Sequence, residues 1–118
     1  MQDFRNLLVW QKAHQLTLSV YKATELFPKE ELYGLTSQMR RSASSIPTNL
    51  AEGSGRGSDA EFARFAQISM GSASELEYQL LLAYDLKFLK QDSYQQLNSS
   101  LNEVQRMLNA FIKKLRTS

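Results

Sequence analysis

Apolar residues recur every three or four positions along almost the whole chain, with polar residues between them. The first such stretch is Val9, Ala13, Leu16, Val20, Ala23 and Phe27. A second runs Leu32, Leu35, Met39, Ser42 and Ile46, with Leu50 one turn further on. A third runs Phe62, Ala66, Ser69, Ala73, Leu76, Leu80 and Ala83. The last is Leu97, Leu101, Val104, Leu108, Phe111 and Leu115. Steps of three and four put each set on one face of an α-helix, the face that packs in a bundle. No stretch alternates with period two for long enough to predict a strand.

The interruptions have local chemistry of their own. Pro28 follows Phe27, and Glu30 and Glu31 stand where the amides at the start of a helix can use them. The run Gly53-Ser54-Gly55-Arg56-Gly57 loses too much backbone entropy to remain helical cheaply. Ser58 and Glu61 form an S-x-x-E capping box directly before Phe62. Asp92 or Ser93 is placed to cap the last helix. The pattern predicts helices near 4–26, 30–52, 59–89 and 93–116, one domain over 1–118. Short connections make it an all-α, up-down-up-down antiparallel four-helix bundle. Pro47 lies inside the second helix and predicts a kink. The small residues Met70-Gly71-Ser72-Ala73-Ser74 predict a close approach by a bundle neighbour or another subunit.

Composition narrows the function more than the fold. With no cysteine among 118 residues, neither a disulfide framework nor a thiolate metal site is possible. The longest wholly apolar run, Leu80–Tyr84, is far short of the roughly 20 residues that span a bilayer. The first residues have scattered charges and no apolar core, unlike a secretory leader. The expectation is a cytoplasmic protein with no membrane contact. A net charge of +2 permits nucleic-acid contact without demanding it.

Catalytic chemistry finds little support. His14 is the only histidine, and no nucleophile elbow G-x-S-x-G occurs. Glu75 and Glu77, two apart on a helix, point in different directions and do not build a carboxylate metal site. GSGRGS at 53–58 lacks the G-K-[ST] ending and the preceding strand of a phosphate loop, so it reads as a turn. The expectation is no catalytic residue, no metal and no cofactor.

Three surface patterns remain. Gln38, Arg41, Ser45, Asn49 and Glu52 form a polar stripe of amides and short side chains, which suits a hydrogen-bonded network within the bundle or between subunits. Its plainer alternative is solvated surface. The third helix carries Phe65, Ile68, Leu82 and Leu86 beside its core face, with Tyr78, Leu81, Tyr84 and Phe88 nearby. A helix apolar on most sides is covered on most sides, so these residues predict a self-association interface. One end of the bundle gathers Arg5, Arg56, Arg64, Lys113, Lys114 and Arg116 against Asp3, Glu52, Asp59 and Glu61. The opposite end gathers four lysines against five acids. A ring of subunits would repeat the basic end into a larger face.

Certain motifs also resemble a known family. Trp10-Gln11-Lys12-Ala13, Tyr21, Phe27-Pro28-x-x-Glu31, Tyr33-Gly34-Leu35-x-x-Gln38 and Arg40-Arg41 belong to the pattern. So do Ser45-Ile46-Pro47-x-Asn49-x-Ala51-Glu52-Gly53, its most specific part, and Gly71-Ser72-x-x-Glu75-x-Glu77. These resemble the bacterial four-helix-bundle proteins known as 23S ribosomal RNA intervening-sequence proteins, from about residue 4 to residue 90. Ser42-Ala43 departs mildly from the pair of small apolar residues often found there. The resemblance implies a cytoplasmic homopentameric ring of bundles. The family's name records reading frames inside ribosomal RNA gene insertions, a location and not an activity. A similar protein accompanies the reverse transcriptase of diversity-generating retroelements, where a basic pentamer binds nucleic acid and the polymerase. Carried over, Arg41, Asn49, Glu52 and Glu75 would be structural or interface groups, and no catalytic residue transfers. The expected function is a non-enzymatic oligomeric binding protein contacting RNA or DNA through the basic end. The alternative is a protein–protein scaffold with no nucleic-acid role.

Overall fold

A computed structural model describes residues 3–117. Four helices account for most of them: α1 (Leu8–Thr24), α2 (Leu35–Ser54), α3 (Asp59–Asp85) and α4 (Gln91–Thr117). Each packs against its neighbours in sequence, and α1 also packs against α4, while the diagonal pairs do not meet. That is the square, up-down-up-down arrangement, 45 Å long and 23 × 20 Å across.

The core is mostly the apolar set read from the spacing, with Ile112 buried where the spacing predicts Phe111 and Leu115, which are only half-buried. Leu16, Val20, Met39, Ile46, Leu50, Leu76, Leu80, Leu101, Val104 and Leu108 are fully buried. Each large aliphatic chain removed from water contributes about 1.5–3 kcal/mol. This burial holds α4 in place, because its seam (Leu97, Leu101, Val104, Leu108, Ile112) faces inward and its outer face is polar.

The helix ends depart from the sequence expectation for identifiable reasons. Before α1 the chain makes a short 3-10 turn, Phe4–Asn6, capped by the Asp3 carboxylate on the Arg5 amide. A second 3-10 turn, Lys29–Glu31, follows Pro28, so α2 starts at Leu35 and leaves Leu32 half exposed outside the core. Glu31 then turns back and accepts the Leu35 amide at 3.0 Å. Gly34 permits this, because a Cβ there would lie 2.9 Å from the Glu31 Oε1.

Helix α3 stops at Asp85, four residues earlier than its pattern suggests. Lys87 enters the left-handed region at φ 67°, and the Phe88 and Lys87 amides reach back to the Ala83 and Tyr84 carbonyls. This is a Schellman turn with lysine where glycine is usual. At the other end of α3, Ser58 Oγ accepts the Glu61 amide at 3.2 Å, while the Glu61 carboxylate turns to Arg64. Helix α4 begins at Gln91, ahead of both expected caps.

Helix α2 runs through Pro47, which has no amide to offer the Ala43 carbonyl one turn back. The Thr17 hydroxyl of α1 lies 3.1 Å from that carbonyl and 2.9 Å from its own Ala13 carbonyl, and it is buried. On the other side of α2, Ser69 donates to the Ile46 carbonyl at 2.8 Å from a fully buried position. Near its end, Gly53 lets α3 approach closely, since a Cβ there would fall 2.8 Å from both Phe62 Cδ1 and Phe65 Cβ. The small residues of α3 divide accordingly: Ser69 and Ala73 face inward, while Gly71 looks into open space.

Candidate nucleic-acid interface

The turn between α2 and α3, the start of α1 and the last turn of α4 share one end of the bundle. Phe62 of α3 packs edge-on against Phe111 of α4, with ring centroids 5.0 Å apart, and ties that end together. The six expected bases lie on it, in two different states. Arg5 pairs with Asp3 at 3.2 Å and covers the Phe4 ring. Arg56 pairs with Glu52 at 2.7 Å, and Arg64 pairs with Glu61 at 3.1 Å. Lys113, Lys114 and Arg116 are exposed and lie outside these pairs.

Arg56 and Arg64 also share a seat. Their guanidinium carbons lie 4.8 and 4.6 Å from the centroid of one ring, that of Phe65. Phe65 is therefore 7% exposed and belongs to its own subunit. This corrects the expectation that it faces a partner: Arg56, reached across the turn, and its own neighbour Arg64 occupy the ring. Two cations on one ring, each held by a carboxylate, are positioned before any ligand arrives. Arg64's hydrogen bonds, and then its charge, hold the Glu61 carboxyl below its ordinary value, and the same bonds raise the Arg64 guanidinium.

The polar stripe on α2 splits by depth. Ser45 and Asn49 are half-buried. Ser45 Oγ lies 2.8 Å from Ser72 Oγ of α3, and Asn49 Nδ2 donates to the Ser45 carbonyl and hydroxyl at 2.8 and 3.0 Å. That part is a network within the bundle. Gln38, Arg41 and Glu52 are exposed, as is Glu75, so these four are not in a buried network inside the subunit. Glu77 faces the other way, accepting from Gln105 of α4 at 3.2 Å.

The apolar flank of α3 is covered only in part. Tyr84 stacks on Tyr94, and Phe88 packs against Phe27. Ile68, Tyr78, Leu81 and Leu86 stay exposed, Tyr78 at 61%, and Leu82 is half-buried. Beside them lies Gln79, buried, whose Oε1 has no hydrogen-bond partner. Sequence reasoning missed this group, because an orphaned acceptor shows only once depth is known. It also missed a cleft at the opposite end, between Tyr21 and Arg40, whose parts are far apart in sequence.

Other chemistry has little footing. His14 lies flat against Trp10, centroids 5.0 Å apart at 9°, as part of the packing between α1 and α2. Among the described residues no group of three or more His, Cys, Asp or Glu side chains is gathered to hold a metal. Among the same residues no helix is long and apolar enough to cross a membrane.

Comparison with known proteins agrees with this architecture. A crystal structure of a protein of unknown function from the S23 ribosomal protein family of Bacteroides thetaiotaomicron superposes with a TM-score of 0.81 at 25% identity. The match covers 90% of this chain and 99% of that one. No protein with a curated description matches. The sequence pattern of the 23S rRNA-intervening sequence proteins matches residues 5–110, reaching well into α4, beyond the motifs that end near residue 90. Helix pattern, motif residues and matched span coincide over nearly the whole bundle, and the chain belongs to the 23S rRNA-intervening sequence protein family.

Proposed function

We propose that the protein is a non-enzymatic binding protein that assembles with copies of itself and contacts RNA or another nucleic acid through its basic end. The observation that carries this reading is the cluster there: Lys113, Lys114 and Arg116, exposed on the last turn of α4, beside two arginines fixed over Phe65. Phosphate oxygens suit such a surface, and the contact would be largely independent of base sequence. The reaction class is binding alone, in the cytoplasm, with no cofactor or metal.

Self-assembly is supported by the uncovered flank of α3. Ile68, Leu82 and Leu86 lie along one side of that helix with Gln79, whose buried oxygen lacks a donor. A second copy would cover the apolar groups. The ring we favour has five subunits, as the family resemblance implies, and would repeat the basic cluster around one face.

A protein–protein scaffold is the second reading. Arg5, Arg56 and Arg64 already sit against Asp3, Glu52 and Glu61, which lowers the field reaching a phosphate backbone. Native mass determination at rising salt, with and without a mixed RNA and DNA pool, separates the two. A five-subunit mass that gains nucleic acid, and loses it as salt rises toward about 0.5 M, is expected. An assembly indifferent to nucleic acid would establish the scaffold, and a monomer would remove the ring. Leu82→Glu or Leu86→Glu should dissociate the assembly with helicity retained; an unchanged mass in both would move the interface elsewhere.

A further inference from the structure

The end of the bundle opposite the basic cluster holds a cleft of about 410 Å³ between α1 and the start of α2. Its walls are two tyrosines, Tyr21 and Tyr33, two arginines, Arg40 and Arg41, the hydroxyl residues Thr36 and Ser37, and the apolar Leu32. No carboxylate lines it. Glu31, two residues before Tyr33, accepts the Leu35 amide on Oε1, and none of Glu25, Glu30 and Glu31 lines the cleft.

Arg40 is held in place. Its Nε donates to the Thr24 hydroxyl at 2.9 Å and its Nη2 to the Tyr21 carbonyl at 3.3 Å, with the guanidinium 4.8 Å from the Tyr21 ring centroid. Thr24 is oriented in turn, donating at 2.8 Å to the Val20 carbonyl. This chain of bonds leaves Arg40 Nη1 uncommitted. Arg41 is exposed and forms no ion pair among the described residues. Tyr33 is 94% exposed, so almost its whole ring stands in water beside these cations.

A phosphate alone would use the arginines and leave the Tyr33 ring idle. A neutral apolar ligand would use the ring and leave two cations unmatched. A planar group carrying an anion uses both. We propose that this cleft takes one nucleotide of a single-stranded nucleic acid, with the base stacked on Tyr33 and its phosphate held by Arg41 and the free edge of Arg40. Aromatic rings interleaved with guanidinium groups are the usual platform for unpaired bases, whereas a duplex keeps its base faces hidden. The volume lies within the range of ordinary small-ligand sites. Arg41 lies about 20 Å along α2 from its end at Ser54, next to Arg56, so the cleft is separate from the basic cluster and does not depend on it.

The test is a titration of the full chain with a short fluorescein-labelled single-stranded RNA, with an RNA duplex of equal length as control. Tyr33→Ala should weaken single-strand binding about tenfold, and Tyr33→Phe should leave it intact, since stacking needs the ring and not the hydroxyl. Arg41→Gln should weaken it about threefold and lower the salt slope by about one. In a Lys113→Gln, Lys114→Gln background the Tyr33 dependence should persist, which separates failure of the cleft from failure of the basic cluster. By NMR, adenosine 5′-monophosphate should shift the Tyr33 ring protons, and inorganic phosphate should not. Wild-type affinity in Tyr33→Ala, an equal loss for duplex, or ring shifts no larger with the nucleotide than with phosphate would each overturn the proposal. A fall in native mass in Tyr33→Ala would assign the ring to contacts between copies and overturn it as well.

Discussion

Helices α2 and α4 are held in the same bundle by different means. Helix α4 is fixed by area: an aliphatic seam inward, a polar face outward, and grooves against α1 at both ends. Helix α2 buries a seam too, Leu35, Met39, Ile46 and Leu50, but it is pinned at points as well. Thr17 reaches its Ala43 carbonyl, Ser69 its Ile46 carbonyl, Ser72 its Ser45 hydroxyl, and Gly53 brings α3 to van der Waals distance. Area tolerates sliding and repacking, whereas a hydroxyl aimed at one carbonyl does not. The most specific part of the family motif, Ser45 to Gly53, falls on the point-held helix.

The largest effect that tests this contrast is overpacking on each side. Ser69→Leu should cost about 3 kcal/mol in denaturant unfolding, because the site has no free volume and the Ile46 carbonyl loses the Ser69 hydroxyl. The same enlargement at exposed Ala110, beside the α1–α4 groove, should stay within about 0.5 kcal/mol. Equal costs at the two sites would dissolve the distinction between the helices.

Next in size, Thr17→Val should cost about 2 kcal/mol by leaving the Ala43 carbonyl without its donor. Pro47→Ala restores an amide one turn on, so Thr17→Val should cost much less in that background. A double-mutant cycle reads the difference, and additivity would show that the hydroxyl does not serve the carbonyl.

A smaller effect lies at the entry to α4. Lys87→Gly removes a Cβ from a left-handed residue and should stabilise by about 0.5–1 kcal/mol in thermal or urea melts. No gain would mean that the turn is relaxed with lysine.

The smallest effect concerns charge at the foot of α3. Glu61 has its carboxyl lowered by Arg64, so it protonates later in the folded protein than in the unfolded chain. Its stabilising contribution is present above the unfolded value and is lost as pH falls through the lowered one. A carbon-detected NMR titration should give Glu61 a midpoint below that of an ordinary glutamate, and Arg64→Gln should raise it. An unmoved midpoint would detach Glu61 from Arg64.

The sequence is a good guide to α4 and a partial one to α2. Spacing alone names the α3 seam and Leu97 to Leu108 of α4, because a helix face follows directly from a period, but it picks the half-buried Phe111 and Leu115 over the buried Ile112. It overextends α3, since nothing in Lys87 announces a left-handed turn. It starts α2 too early, since Leu32 continues the apolar rhythm while Pro28 and Gly34 hold the backbone out of the helix. It also groups Gln38 with Ser45, because position around a helix axis is legible from numbers and depth beneath a neighbour is not. At the basic end the residue types were legible, and the stacking of Arg56 and Arg64 on Phe65 was not. It needs a turn to fold back and bring residue 56 to residue 65.

Pro47 has a consequence for how the molecule comes apart. The carbonyl it leaves open is served by another helix, so α2 depends on α1 for part of its internal bonding. When α1 lifts away, water must enter the middle of α2 to replace that donor. Amide exchange in native conditions should therefore show the centre of α1 and the turn of α2 around Ala43 opening as one unit, at a single free energy. A missing hydrogen atom in the chain thus sets which parts of the protein breathe together.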